Sequence, residues 1–198
     1  MNTDKLIELL EDKGFQDPRT GNLFFGAYIY LYPPQEEYSM QKNIENLTQR
    51  LKRPNNFLDC LTIDLFDFFI QYLKENSFSG TTYFDDAIQI EQEDIQKAFE
   101  YLMTEVEHEN FFRAFEEKVI AHFRENKNKR VYLLIHGVGQ IYPYLRISSF
   151  LKRTEALIKD FKIIVFYPGK YIGNEYSLFN ELQSDNIYRV TLLNSLIS

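Results

Sequence analysis

The residues of this 198-residue chain best suited to chemistry lie in one stretch, His136-Gly137-Val138-Gly139 followed by Tyr142, Pro143 and Arg146. Their spacing suits anion binding. Two glycines after the apolar run Val131 to Ile135 let a strand end through positive φ, and the first amides of the following helix would face whatever sits beyond the turn. Arg146 adds a forked cation that could reach an anionic ligand or clamp the loop itself. A second apolar run, Lys162 to Tyr167, ends in Pro168-Gly169. The two turns are thus expected to border one crevice at the carboxyl ends of the strands, where open α/β sheets hold ligands. Arg189, near the start of the last expected strand, is ambiguous in the same way as Arg146. The candidate ligand- or partner-contact residues are therefore Gly137, Gly139, Tyr142, Arg146, Gly169 and Arg189. The competing reading is steric: many α/β turns need glycine without binding anything, and GxG by itself is a weak signal.

Stronger chemical signatures are missing. None of the eight glycines begins GxxxxGK[ST], so the amide-and-lysine cradle of a P-loop cannot form, and GxSxG, the nucleophile elbow of serine hydrolases, does not occur. His108, His122 and His136 are the only histidines and show no HxH or HxxxH spacing, which argues against a metal site. His136 could act as a general base, but no nucleophile lies near it in the sequence, and it is assigned no catalytic role. Cys60, the single cysteine, sits in an apolar run where a small buried hydrophobe is expected, and one cysteine rules out an internal disulfide framework. No catalytic residue, metal or cofactor follows from these residues.

The elements that must position the turns alternate along the chain. Thr3 to Asp12 has the stripe of a short helix, stopped by Gly14, and forms an N-terminal lid. Leu23 to Tyr32 is a first strand ended by Pro33-Pro34. Met40, Ile44, Leu47 and Leu51 then mark one buried face of a helix that closes before Pro54. Phe57 to Ile63 is a second strand, and Asp64 starts a helix whose apolar arc is wide enough for burial on more than one side. Ser77 to Thr82 reads as loop, and an acidic helical pair spans about 91–125, with its break between Glu105 and Asn110. Val131 to Ile135 follows as a central strand, then a helix opened by Pro143, the strand Lys162 to Tyr167, a helical turn over Asn174 to Ser184, and a last strand, Tyr188 to Leu193. The pattern predicts one α/β domain over residues 1–198. Its mostly parallel sheet of about five strands is flanked by helices, in a Rossmann-like or P-loop-like topology without a Walker A motif.

Composition narrows the function. With 44% hydrophobic residues, 18 Phe and 14 Tyr, the chain can fill a core and still present amphipathic tyrosine surface to a partner. Asp85 to Glu125 holds twelve Asp or Glu against four Lys or Arg, a balance of −8, so the rest of the chain carries +1 of the total −7. Such a chain is a poor candidate for binding nucleic acid through phosphates, although Lys127, Lys129 and Arg130 could form a small basic patch. The acidic stretch is either a solvated helix face or a docking surface for a basic partner. The N-terminal MNTDKLIELLEDKG alternates charge with apolar residues, so neither a signal peptide nor a membrane helix is expected. The expected location is the cytoplasm.

Three blocks, His136 to Arg146, Val165 to Tyr171 and Ser177 to Arg189, taken together resemble the BrxB family of bacterial BREX phage-resistance systems. His136-Gly137-Val138-Gly139 with Ile141-Tyr142-Pro143-Tyr144-Leu145-Arg146 is similar to the family's GVG-x-x-YP-x-LR. Val165 to Tyr171 resembles VxFxPGxY, and Ser177-Leu178-Phe179 with Asp185-Asn186-Ile187-Tyr188-Arg189 resembles LxLF…DxNYYR. Lys170, Ile172 and Ile187 depart from the commonest family pattern, so no role tied to those side chains is carried over. The resemblance implies a non-enzymatic subunit of a defence assembly, an adaptor that contacts the phosphatase-like PglZ. The other members of that assembly include a BrxC-type ATPase and a PglX-type methyltransferase. It supplies no catalytic residues. The alternative from the residues alone is a small anionic ligand- or nucleotide-binding domain, possibly hydrolytic, built on the GVG turn.

Overall fold

A computed structural model of the chain describes residues 3–17, 26–53, 58–125, 129–155, 161–173, 175–182, 187 and 190–197. Two short helices come first, α1 (Thr3–Glu11) and α2 (Lys13–Gln16). Gly14 lies inside α2; the break falls at Asp12, whose carboxylate accepts the Phe15 amide at 2.8 Å. The alternation then runs β1 (Ala27–Tyr32), α3 (Glu37–Leu51), β2 (Leu58–Asp64) and α4 (Leu65–Glu75). The four apolar positions read from the sequence of α3 are its four buried residues, and Asp64 caps α4 as expected, accepting the amides of Phe66 and Asp67 at 2.9 and 3.0 Å.

The stretch expected to be loop is a hairpin, β3 (Ser77–Phe78) and β4 (Thr81–Thr82), turned through Ser79 and Gly80, both at positive φ. The acidic region is three helices rather than two and starts earlier than expected: α5 (Tyr83–Glu93), α6 (Ile95–Glu107) and α7 (Glu109–Glu125). Thr82 opens α5 by accepting the Asp85 amide at 3.0 Å, and Asp94 separates α5 from α6, while the break at His108 falls where the sequence placed it. Next come β5 (Lys129–His136), α8 (Val138–Ile141) and α9 (Ile147–Arg153). Pro143 does not open a helix; it follows a cis peptide bond in the connection between α8 and α9. The last elements are β6 (Lys162–Ile172), β7 (Glu175–Leu178) and β8 (Thr191–Leu192).

The sheet order is β2-β5-β6-β1-β8 with every neighbour parallel, and β7 pairs antiparallel with the far half of β6, giving six strands where about five were expected. This is the layered parallel architecture anticipated, in an order that differs from the 3-2-1-4-5-6 of dinucleotide-binding folds. From β1 the chain crosses to β2 over the face covered by α1 and α3, against Tyr28, Tyr30, Tyr132, Leu134 and Phe166. It returns through β5 to β6 over the opposite face, where α4, α7 and α9 pack on Ile29, Leu133, Ile135 and Val165. Reversing direction while changing face keeps each crossover right-handed. Helices on both faces leave the central strand no polar side: Tyr132 to Ile135 are all fully buried. Cys60 is fully buried too, and burial pushes its thiol up to about 12, so it serves as a small hydrophobe.

Two expectations fail at β6. The strand does not end at Pro168-Gly169 but runs to Ile172, and the expected helical turn after it is β7. Pro168 is tolerated because the β5–β6 ladder ends at Ile135 and Val165, so no donor toward β5 is needed there. In β7, Tyr176 and Leu178 are buried while Glu175 is exposed, an alternation that only a strand produces.

Candidate functional site

Strand order reverses between β1 and β6, so the crevice beyond their carboxyl ends is where a ligand of this sheet would sit. The GVG turn leaves the next strand, β5. Gly137 caps α8 in the left-handed region at φ 75°, as the sequence requires. A Cβ there would lie 2.3 Å from Asp64 Oδ1, so glycine is also needed for space. Asp64 faces His136 across the parallel register of β2 and β5, with Nδ1 3.0 Å from Oδ2. The pair is close enough for an ion pair, although it is not aligned as a hydrogen bond. Burial by itself raises the Asp64 carboxyl, but His136 and the amides of Asp67 and Phe66 outweigh it and hold the group below its ordinary value. The carboxylate is thus committed to joining two strand ends and one helix start. Neither sequence pattern reveals this pairing, because the two residues meet only through the register.

The second turn is filled from within. Gly169 lies inside β6 opposite Leu178, and a Cβ on it would stand 2.2 Å from the Ser177 carbonyl oxygen. Gly139 is required by close approach rather than by positive φ: the Phe179 ring lies 2.7 Å and Pro168 3.2 Å from where its Cβ would be. Phe179 therefore plugs the space between the GVG turn and β6, held by its amide donating to the Pro168 carbonyl at 2.8 Å. Among the described residues, a cavity of ≈ 20 Å³ lies beside it, bounded by Val138, Tyr142, Leu145, Arg146, Tyr167 and Leu178. That is room for about one water, far below the roughly 300–1,000 Å³ of small-molecule sites. On the β1 side, Tyr32 donates to Glu37 at 2.5 Å, and burial followed by Glu37 raises its phenol, leaving a neutral donor.

Five of the six candidate residues lie among the described residues, and they meet different neighbours. Gly139 abuts Phe179, Gly137 abuts Asp64, Gly169 abuts Ser177 and Tyr167, and Tyr142 lines the small cavity with Arg146. Arg146 is the residue before α9 rather than one turn into it, and among the described residues its exposed side chain makes no hydrogen bond or ion pair, so it clamps nothing there. Arg189 lies outside the described residues. The histidines are all engaged: His108 Nδ1 accepts the Asn110 amide, His122 meets Asp59 at 2.9 Å, and His136 meets Asp64. Among the described residues no three of His, Cys, Asp and Glu are grouped to hold a metal ion, and no helix is long and apolar enough to cross a membrane.

Fold and site together define a parallel-sheet α/β protein whose strand-end crevice is occupied by its own side chains. The chain belongs to the BrxB family: the family described as "BREX protein BrxB" matches residues 61–193. Two relatives named BREX protein BrxB are similar over most of their length. That of Bacillus cereus (strain H3081.97) is 23% identical over 186 residues, covering 94% of this chain and 92% of the relative. That of Escherichia coli O9:H4 (strain HS) is 24% identical over 182 residues, covering 90% and 82%. No solved structure matches the chain.

Proposed function

We propose that this protein is a non-enzymatic adaptor subunit of a BREX anti-phage assembly that works in the cytoplasm and binds a PglZ-like protein. Family membership supplies the system, and the filled crevice carries the rest of the reading. The strand-turn-helix that would hold an anion is packed against Phe179 at Gly139, and the cavity beside it among the described residues is only ≈ 20 Å³, which favours a packing role for the turn. Arg146 is exposed on the rim of that unit, where a partner rather than a buried ligand would meet it.

The test is co-purification with the PglZ-like protein encoded beside it, together with thermal shift against a nucleotide series. A stable complex and no nucleotide response support the adaptor. A ligand-binding domain would instead gain about 2.7 kcal/mol of stability at a hundredfold excess of nucleotide over its dissociation constant. That result, without complex formation, would overturn the adaptor reading.

A further inference from the structure

A larger opening lies elsewhere. Between α4, α5 and α6 runs a groove of ≈ 300 Å³ floored by Leu73, Phe84, Phe99, Leu102 and Tyr144. Its mouth is apolar and open: Ile88 is 42% and Ile95 73% exposed, although both are large β-branched side chains that soluble surfaces seldom display together. Ile95, Phe99 and Leu102 are spaced four and seven apart along α6, so one face of that helix lines the groove along its length.

The charge around the groove identifies what fits it. Helices α5 and α6 with Asp94 between them hold eight acids, Asp85, Asp86, Glu91, Glu93, Asp94, Glu100, Glu105 and Glu107, against Lys97 alone, a balance of −7. The whole chain also carries −7, so everything outside this stretch is neutral. Lys97 lies 3.9 Å from Asp94, and Lys74 of α4 stands 4.8 Å over the Phe84 ring, so two cations face the eight acids. Glu91 stands in the groove wall itself. Crowding is felt at Glu105, where burial and then Asp86 hold the carboxyl above its ordinary value against the pull of His108.

We infer that this groove is a docking site for a cationic amphipathic helix of a partner protein. Apolar side chains at helical spacing would enter between Ile88 and Ile95, while Lys or Arg on the flanks would meet the acids of α5 and α6. The inference rests on the adaptor reading and assigns that reading a surface and a partner chemistry.

The probe is a fluorescent 18-residue peptide of Leu and Lys in amphipathic helical order. It is compared with the same composition in scrambled order and with a Leu/Glu peptide of the same pattern. Anisotropy should show binding of the Leu/Lys helix, at least about tenfold weaker binding of the scrambled peptide, and none of the Leu/Glu helix. The double variant Ile88→Ser, Ile95→Ser should weaken binding at least about tenfold with an unchanged circular dichroism spectrum, and Glu91→Lys should weaken it as well. Failure of the Leu/Lys helix to bind, equal binding of the scrambled peptide, or full binding by the double variant would overturn the inference. So would a homodimer of the wild type in sedimentation that the double variant abolishes, since the occupant would then be a second copy. Co-purification separates the two readings. A PglZ-like protein retained by the double variant leaves the adaptor in place and removes the groove, whereas a wild type that retains none removes the adaptor while the peptide still decides the groove.

Discussion

The strand-end crevice and the helical groove differ in what fills them. In the first, Gly139 lets the chain's own Phe179 pack against the turn, and the neighbouring cavity among the described residues is only ≈ 20 Å³. The second exposes two isoleucines and stays open at ≈ 300 Å³. A glycine pattern that looks like a ligand loop can thus record only how tightly backbone meets side chain, while an undistinguished run of amphipathic helix leaves the usable surface. Close packing makes the first region intolerant of added atoms, and exposure makes the second tolerant of substitution.

The largest effect expected is at Gly169. Valine there would drive a side chain into the Ser177 carbonyl, a backbone atom that cannot move aside, at a cost of about 3 kcal/mol or more, the upper end of overpacking. Urea denaturation should show the loss, and a wild-type midpoint would mean that the β6–β7 packing is looser than described. Gly139→Val meets a ring rather than backbone, so about 1–3 kcal/mol is expected. Phe179→Ala should recover part of that loss when the two are combined, and strict additivity in the cycle would break the account of Phe179 as the plug.

Asp64→Ala comes next. It removes the helix cap and the partner of His136, at about 1–2 kcal/mol. Because the folded carboxyl lies below its ordinary value of 3.8, its contribution is complete above that pH and is lost as the pH falls below it through the lower folded value. Acid titration of stability should therefore be flatter in Asp64→Ala than in the wild type over that window, and parallel curves would remove the clasp from the account. The smallest effects belong to exposed positions. Arg146→Ala and the Ile88→Ser, Ile95→Ser pair should change stability by within about 0.5 kcal/mol, read by thermal melting. A marked drop in melting at Arg146→Ala would show it to be an internal clamp, and loss of complex formation alone would mark it as a partner contact.

Much of the architecture was legible because periodicity reports burial. The stripe of α3 and the apolar runs of β5 and β6 are what one-sided and two-sided burial look like in sequence. Thr82-x-x-Asp85 is also a legible helix start, passed over because Ser77 to Thr82 suggested a loop. The alternation Glu175-Tyr176-Ser177-Leu178 is a strand signal hidden by the expectation that Pro168-Gly169 had ended β6. The site was less legible. That Gly137 needs positive φ follows from sequence, but that Asp64 and Phe179 crowd Gly137 and Gly139 depends on register and on the path of β7, which no local pattern encodes. The openness of the groove is equally invisible, since Ile95 and Val106 look alike on α6 while one is 73% exposed and the other fully buried.

The place of β1 has a consequence for modularity. The stretch that matches the family starts within β2 at residue 61, yet β1 lies before it and is inserted between β6 and β8, with Ala27 opposite Ile163 and Tyr28 opposite Thr191. The recognisable portion is therefore not a separable unit. Without the opening segment, β6 and β8 would face each other across a missing rung, and one side of the sheet would lose α1 and α3, the helices that cover it. The opening segment and the stretch matched by the family share one sheet, so a fragment cut at residue 61 would lack a central strand.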